Sequence, residues 1–269
     1  MEIQPGDAAV ITGAGSGLGE GLAQVCHEAG MRVAVADIEL DEAERVASAI
    51  REAGGEAIAV LTDVTDPASV ESLAARAYEE FGEVRLLCNN AGVQVFDSII
   101  DTSADDWSWV LGVNLHGVIN GVSAFVPRMR QQDGAAYIVN TGSISGCAPY
   151  PRPTTMLAGA YITSKYAVVG LTESLHDELE PDGIGVTALC PAGIRSRIFD
   201  AARNRPDGLG GPAPASVDQW EGMEPAQIGR MVLDAVREDR LYVFTDTWPR
   251  RFIERRHERM MAAFDLLEA

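Results

Sequence analysis

Tyr161 and Lys165 stand four residues apart in YITSK, and Lys165 is the single lysine among 21 Lys and Arg side chains in 269 residues. Residues i and i+4 of a helix share a face, so a helix here sets the ammonium beside the phenol. A neighbouring positive charge favours the phenolate. Lowering a tyrosine by about 3 units from its usual value near 10 takes roughly 4 kcal/mol of differential stabilisation. Arginine is planar, bulky and permanently charged, whereas lysine is a compact point charge on a flexible stem. A chain that otherwise uses arginine throughout keeps a lysine where a guanidinium would not fit or would not work. Chance placement of one basic residue in 21 is the plain alternative, and it stands open at this point.

A second cluster can hold an anion. TGAGSGLG, residues 12–19, follows an apolar run and opens a helical pattern. Gly13, Gly17 and Gly19 let the backbone turn tightly and approach a pyrophosphate, with Ser16 and Leu18 between them, and a helix N-terminus supplies free N–H groups. Glycines alone would also suit any tight turn; their place between strand and helix is what a dinucleotide site requires. The next apolar run ends at Asp37, 18 residues beyond Gly19, followed by Ile38. A carboxylate there can accept hydrogen bonds from the adenosine ribose hydroxyls. It would repel a 2′-phosphate by on the order of 4 kcal/mol near 4 Å at an effective dielectric of 20. No Lys or Arg adjoins it in sequence, so NAD is expected over NADP. Asp37 as a simple cap for the following helix is the competing reading.

These residues need a scaffold. β-rich apolar runs at 8–12, 32–37, 57–63, 84–90, 135–142, 185–191 and 241–246 alternate with helical patterns at about 17–30, 40–53, 66–82, 103–132, 157–180 and 225–239. Nearly continuous apolar strands suit a parallel sheet covered on both faces. Alternation of strand and helix predicts an α/β fold, a Rossmann-like doubly wound parallel sheet of seven strands with helices on both faces. Asp66-Pro67 reads as an N-cap and N1 proline, and Gly30 and Gly54 mark helix ends. One domain is expected over 1–269, with a flexible Gly/Pro-rich substrate loop at about 195–224. A C-terminal helix is expected at about 249–267.

Composition excludes several classes. A formal net charge of −19 argues against nucleic acid or an anionic membrane surface as partner. The start lacks the basic and apolar regions of a signal peptide, and no run approaches the roughly 18 apolar residues of a membrane span. Cys26, Cys88, Cys147 and Cys190 are scattered and read as buried thiols of a reducing cytoplasm, not a disulfide framework. His27, His116, His176 and His257 are isolated, so no metal is expected.

In these motifs the chain resembles the short-chain dehydrogenase/reductase family, in its single-domain form, over nearly its whole length. TGAGSGLG resembles the family's TGxxxGxG, NNAG at 89–92 its strand-four signature, and Asp63-Val64 its adenine-contacting pair. Asn114, Ser143, Tyr161 and Lys165 correspond to its catalytic tetrad. The resemblance implies alcohol oxidation or carbonyl reduction with Tyr161 as acid/base. Lys165 would lower the tyrosine's pKa and bind the nicotinamide ribose. Ser143 would bond the substrate oxygen, and Asn114 would hold a water that relays the proton. Asn90, Ala91 and Gly92 would line the cofactor, with Pro191, Ala192, Ile194 and Ser196 after strand six and the last two at the carboxamide. A homodimer or tetramer on the 103–132 and 157–180 helices is also implied.

Two departures stand out: Ala192 replaces the usual glycine, and Ser143 and Tyr161 are 18 residues apart. The added length falls in the Pro-rich CAPYPRPTTMLAG. Substrate contacts are expected from Ser143, Ser145, Gln94, Tyr150 and Tyr161, with Val93, Met156, Phe199 and Trp220 nearby. These suggest an apolar, partly aromatic pocket, although Tyr150 and Trp220 as loop anchors explain the pattern equally well. VNLHGVINGVSAFVPRM, PAGIRSRI and LYVFTDTWPR are similar to bacterial Cα-dehydrogenases of lignin-derived aryl ethers. The expectation is therefore a cytoplasmic NAD(H)-dependent oxidoreductase interconverting a small-molecule secondary alcohol and ketone. A nucleotide-sugar epimerase fits poorly, and a non-enzymatic NAD(H) sensor is the alternative.

Overall fold

In the computed structural model, the residues described are 1–148, 158–206, 209 and 222–267. The strands are β1 (Ala8–Thr12), β2 (Arg32–Asp37), β3 (Ala57–Leu61), β4 (Leu86–Asn89), β5 (Ala136–Thr141), β6 (Ile184–Cys190) and β7 (Tyr242–Phe244). They form one parallel sheet in the order β3-β2-β1-β4-β5-β6-β7, as the alternating pattern predicts. The helices are α1 (Gly17–Glu28), α2 (Leu40–Glu52), α3 (Pro67–Phe81), α4 (Ala104–Leu111), α5 (Gly117–Met129), α6 (Gly159–Leu179), α7 (Pro225–Glu238) and α8 (Arg250–Asp265).

Successive strand residues point to opposite faces, which sorts the core into two layers. Ala9, Ile11, Val33 and Val35 pack with Leu22, Val46 and Val232 of α1, α2 and α7. Ala8, Val10, Ala34 and Ala36 pack with Leu73, Phe125 and Leu179 of α3, α5 and α6. Strand order reverses between β1 and β4. Their carboxyl ends therefore leave a crevice, the place where open α/β sheets bind ligands.

Local signals act as their chemistry dictates. The Asp66 carboxylate accepts the Ala68 N–H at 2.9 Å and caps α3, with Pro67 as its first residue. Gly30 and Gly54 take φ of +82° and +88° just past α1 and α2.

Three expectations are corrected. The 103–132 segment is not a uniform α-helix: Gly112–His116 is a π-turn between α4 and α5. Secondly, part of the 195–224 segment is helical, with Arg197–Asn204 forming two short 3₁₀ turns joined at a kink at Asp200. Thirdly, an apolar stretch of membrane-span length does exist. Ala104–Met129 contains an 18-residue window of mean hydropathy 1.4. Half of that window is buried, and Val110, Val118, Phe125 and Met129 have protein neighbours in the core, so burial within the fold explains its apolarity.

Candidate active site

A cleft of about 1180 Å³, counting its open mouth, runs across the carboxyl ends of β1 and β4. Gly13 and Ala91 meet at its floor. Gly13 has φ +64°, and a Cβ there would lie 2.8 Å from the Ala91 Cα, so a side chain would wedge the two strand ends apart. Thr12, given no role by sequence reasoning, fastens this floor. Its Oγ accepts the N–H groups of Asn90 at 2.9 Å and Ala91 at 3.1 Å. The Asn90 amide donates to the Thr12 carbonyl at 2.9 Å and accepts from the Thr141 hydroxyl at 3.3 Å, tying β1, β4 and β5 together. The lost signal was Thr12's position as the last residue of β1, where a short hydroxyl can bridge to the next strand.

Asp37 ends β2 nearly buried at the far side of the cleft. One carboxylate oxygen accepts the Gly15 N–H at 2.8 Å and the other the Glu39 N–H at 2.9 Å. It therefore steadies the glycine loop and the entry to α2 while lining the cleft. Ser16, Gly17, Leu18, Ile38, Asp63 and Val64 also line this end. Gly19 does not. It lies under the loop, where a Cβ would fall 2.1 Å from the Gly13 carbonyl oxygen, so its part is close packing.

No Lys or Arg adjoins Asp37 in sequence, yet the fold brings three arginines to this part of the structure. Arg197 and Arg203 line the cleft. Arg45 donates to the Gly15 carbonyl at 2.9 Å. Each is held by carboxylates: Arg203 on Glu39 at 2.9 Å, Arg45 on Glu20 and Glu42 at 2.8 Å, and Arg197 3.8 Å from Glu42. Sequence gave no hint of the Arg203–Glu39 pair, whose members are 164 residues apart.

At the other end, α6 presents Tyr161 and Lys165 on one face. Lys165 Nζ lies 5.6 Å from the Tyr161 ring centre and donates to the Thr141 carbonyl at 2.6 Å. Burial pushes the Lys165 ammonium down to about 8, with the neighbouring Cys190 opposing that shift. Asn114 occupies the π-turn, fully buried. Its amide donates to the Val93 carbonyl at 2.9 Å and the Ser164 hydroxyl at 3.0 Å and accepts the Val93 N–H at 2.8 Å. A Cβ on Gly92 would lie 3.5 Å from Asn114 Oδ1 and 3.6 Å from Lys165 Nζ, so both polar atoms approach the same space.

Other expected residues divide. Asn90, Ala91, Gly92, Pro191, Ile194 and Ser196 line the cleft. Ala192 does not; its N–H is taken by the Thr245 hydroxyl at 2.9 Å, which turns it toward β7. Ser143, Ser145 and Gln94 are buried beside the cleft rather than lining it, and Ser143 Oγ accepts the Ser145 N–H at 3.1 Å. Tyr150, Met156 and Trp220 lie outside the described residues. Trp109, absent from the expected set, lines the cleft, and Phe96 stacks on Phe199 with ring centres 5.6 Å apart. Among the described residues no group of three or more His, Cys, Asp or Glu side chains is placed to hold a metal.

This arrangement fits a nicotinamide dinucleotide. The floor at Gly13 carries no side chain, the Asp37 carboxylate stands at one end of the cleft, and a buried ammonium stands beside a tyrosine at the opposite end. Residues 7–207 match the short chain dehydrogenase family model. The chain belongs to the short-chain dehydrogenase family. It is similar to a short-chain dehydrogenase/reductase of Burkholderia phymatum solved in complex with NAD. That pair is 38% identical, with a TM-score of 0.91 over 98% of this chain and 97% of that one. It is also similar to a C alpha-dehydrogenase of Sphingobium sp., 34% identical over 245 residues, 87% of this chain and 79% of its relative. A third similar protein is LigO of Sphingobium sp. strain SYK-6 in its apo form. It is 35% identical with a TM-score of 0.82 over 98% of this chain and 91% of that one. Within the short-chain dehydrogenase family this chain is an oxidoreductase acting on a small molecule.

Proposed function

We propose that this oxidoreductase interconverts a secondary alcohol and a ketone on an aromatic substrate, with NAD(H) as its cofactor. The observation that carries the reading is the meeting of the Tyr161–Lys165 pair and the Asp37-braced glycine loop in one cleft. Gly13, Ser16 and Gly17 would hold the pyrophosphate, Asp37 the adenosine ribose, Asp63 and Val64 the adenine, and Lys165 the nicotinamide ribose. Ile194 and Ser196 would hold the carboxamide. When bound, the nicotinamide accepts the substrate hydride in oxidation and returns it in reduction.

The chain's own residues supply the proton chemistry. The Tyr161 phenolate takes the hydroxyl proton, and the Lys165 ammonium 5.6 Å from its ring stabilises that phenolate. Ser143 accepts the Ser145 N–H, which leaves its own O–H to donate to the substrate oxygen. Both Asn114 amide hydrogens are committed to Val93 and Ser164. A relay water would therefore donate to the side-chain oxygen of Asn114, which approaches the same space as Lys165 Nζ.

Two features support NAD over NADP: the Asp37 carboxylate in the cleft, and the pairing of Arg197 and Arg203 with acidic residues. An aromatic substrate is supported by Trp109 in the lining and by the Phe96–Phe199 stack. The C alpha-dehydrogenase relative points the same way. Reduced-nicotinamide absorbance, followed with NAD⁺ and NADP⁺ over 1-arylalkanols, aliphatic alcohols, sterols, sugars and hydroxyacyl esters, tests the proposal. Turnover of 1-arylalkanols with NAD⁺ is the expected result; turnover confined to sugars, or to NADP⁺, would contradict it.

A further inference from the structure

Two thiols behind the catalytic side chains have no part in that chemistry. Cys147 Sγ and Cys190 Sγ lie 3.7 Å apart, although their residues are 43 positions apart in the chain. Cys190 is the last residue of β6 and is buried; Cys147 is partly exposed and follows the 3₁₀ turn Ile144–Gly146. The two positions flank the site. Cys147 Sγ lies 3.8 Å from the Ser143 carbonyl, and the Ile144 N–H donates to the carbonyl of Pro191, the residue after Cys190, at 3.1 Å.

We propose that Cys147 and Cys190 are a peroxide-responsive thiol pair whose disulfide ties the Ser143 turn to the end of β6. The Cys147 thiolate attacks one peroxide oxygen, the O–O bond breaks, and sulfenic acid and hydroxide form. Cys190 sulfur then attacks the Cys147 sulfenic sulfur, and the sulfenic oxygen leaves as water with the proton from Cys190. In sum, two thiols and one hydrogen peroxide give one disulfide and two waters, with the thiols oxidised and the peroxide reduced.

The division of labour follows the surroundings. Cys147 has solvent access, and its hydrogen-bonding contact with Cys190 holds its thiol below the ordinary range, against a smaller opposing effect of burial. The same contact, with burial, pushes Cys190 up. Cys26 and Cys88 serve as internal controls: both are fully buried, and burial raises Cys26 to about 12 and Cys88 well above its ordinary value.

A disulfide needs its sulfurs about 2.05 Å apart, so the pair closes by roughly 1.7 Å. β6 is paired on both edges, by β5 and β7, and yields little. The movement falls on the Ser143–Cys147 turn. That turn also has little room against α6, since a Cβ on Gly146 would lie 2.4 Å from the Lys165 carbonyl oxygen. A displacement near 1 Å at a catalytic group costs about 10²-fold in rate. Oxidation is therefore expected to lower turnover by that order and NADH affinity by less, because Gly13 and Asp37 lie away from the turn, which touches the cleft at Pro191 and Lys165. The rate effect rests on the proposed dehydrogenase reading; the covalent step does not.

The test treats the full chain with hydrogen peroxide, blocks free thiols with N-ethylmaleimide, digests with trypsin and reads the peptides by mass spectrometry. The expected product links peptide 131–165 to peptide 166–195, two hydrogens lighter than the pair, and dithiothreitol dissolves it. Cys26 and Cys88 stay free. Cys147→Ser and Cys190→Ser each remove the link, and Cys147→Ser keeps its turnover through the peroxide treatment. Cys147 recovered as a free thiol, or oxidised to sulfinic acid without the link, would overturn the proposal. A quantitative link with undiminished turnover would overturn the coupling to Ser143.

Discussion

The Lys165 ammonium lies 5.6 Å from the centre of the Tyr161 ring and is pinned by a 2.6 Å hydrogen bond to the Thr141 carbonyl. Both ends of the lysine are thereby specified: α6 sets its stem, and the end of β5 receives its charge. A guanidinium is larger and planar and cannot occupy a buried point defined by one carbonyl, one ring and the nearby backbone of Gly92. Lys165→Arg is expected to lower turnover by about 10²-fold although the charge is kept, because a small displacement at a catalytic group is enough. Steady-state kinetics with wild-type folding by circular dichroism checks this; an active arginine variant would show that charge alone suffices.

The same lysine predicts a pH dependence of stability. Burial holds it at about 8 in the folded protein, against 10.5 as its ordinary value. Between those values the unfolded chain binds one more proton than the folded one, so stability rises with pH across the window. The gain is about 1.4 kcal/mol per unit, and it is absent below pH 8. Urea unfolding of wild type and Lys165→Met from pH 7.5 to 10.5 isolates the effect, since other groups cancel in the difference. The wild type should gain relative to the variant as pH rises; parallel curves would contradict the buried ammonium.

Asp37 is expected to select the cofactor jointly with Arg197 and Arg203, which line the same cleft. Removing the carboxylate in Asp37→Ala should narrow the ratio of NADPH to NADH dissociation constants at least tenfold, the equivalent of about 1.4 kcal/mol. Adding Glu39→Gln, which weakens the hold on Arg203, should narrow it further. Fluorescence titration with both nucleotides reads the ratio, and an unchanged value in the single variant would place selection elsewhere.

Asn114→Ala should destabilise the protein as well as slow it. The variant loses three hydrogen bonds and leaves the buried Val93 N–H and carbonyl without their partner. Each such group costs about 1–3 kcal/mol. A lower urea midpoint with unchanged slope is the expected outcome; an unchanged midpoint would mean that the π-turn does not depend on Asn114.

Much of the fold was legible because parallel strands announce themselves as apolar runs. β1 and β2 occupy the residues read from the sequence, and the other strands differ by one or two residues at their ends. Those ends depend on tertiary bonds: the chain leaves β3 after Leu61, where the Thr62 N–H donates to the Asp37 carbonyl. The glycine loop and Asp37 were legible for a related reason, since their spacing is local. What stayed hidden is non-local. The π-turn at Gly112–His116 is held by Asn114 bonds to Val93 and Ser164, 21 and 50 residues away. Arg197 and Arg203, which line the cleft, come from a segment that reads as a Gly/Pro-rich loop, and nothing near Arg203 names Glu39 as its partner.

Tyr161 carries the central claim most directly. Tyr161→Phe removes one hydroxyl from a ring whose place beside Lys165 is set by α6. Single-turnover oxidation of a 1-arylalkanol with NAD⁺ should fall by 10²- to 10⁴-fold in the variant, the usual size of a general acid–base contribution, while the NADH dissociation constant stays within about threefold of wild type. Wild-type rates in Tyr161→Phe would contradict the account.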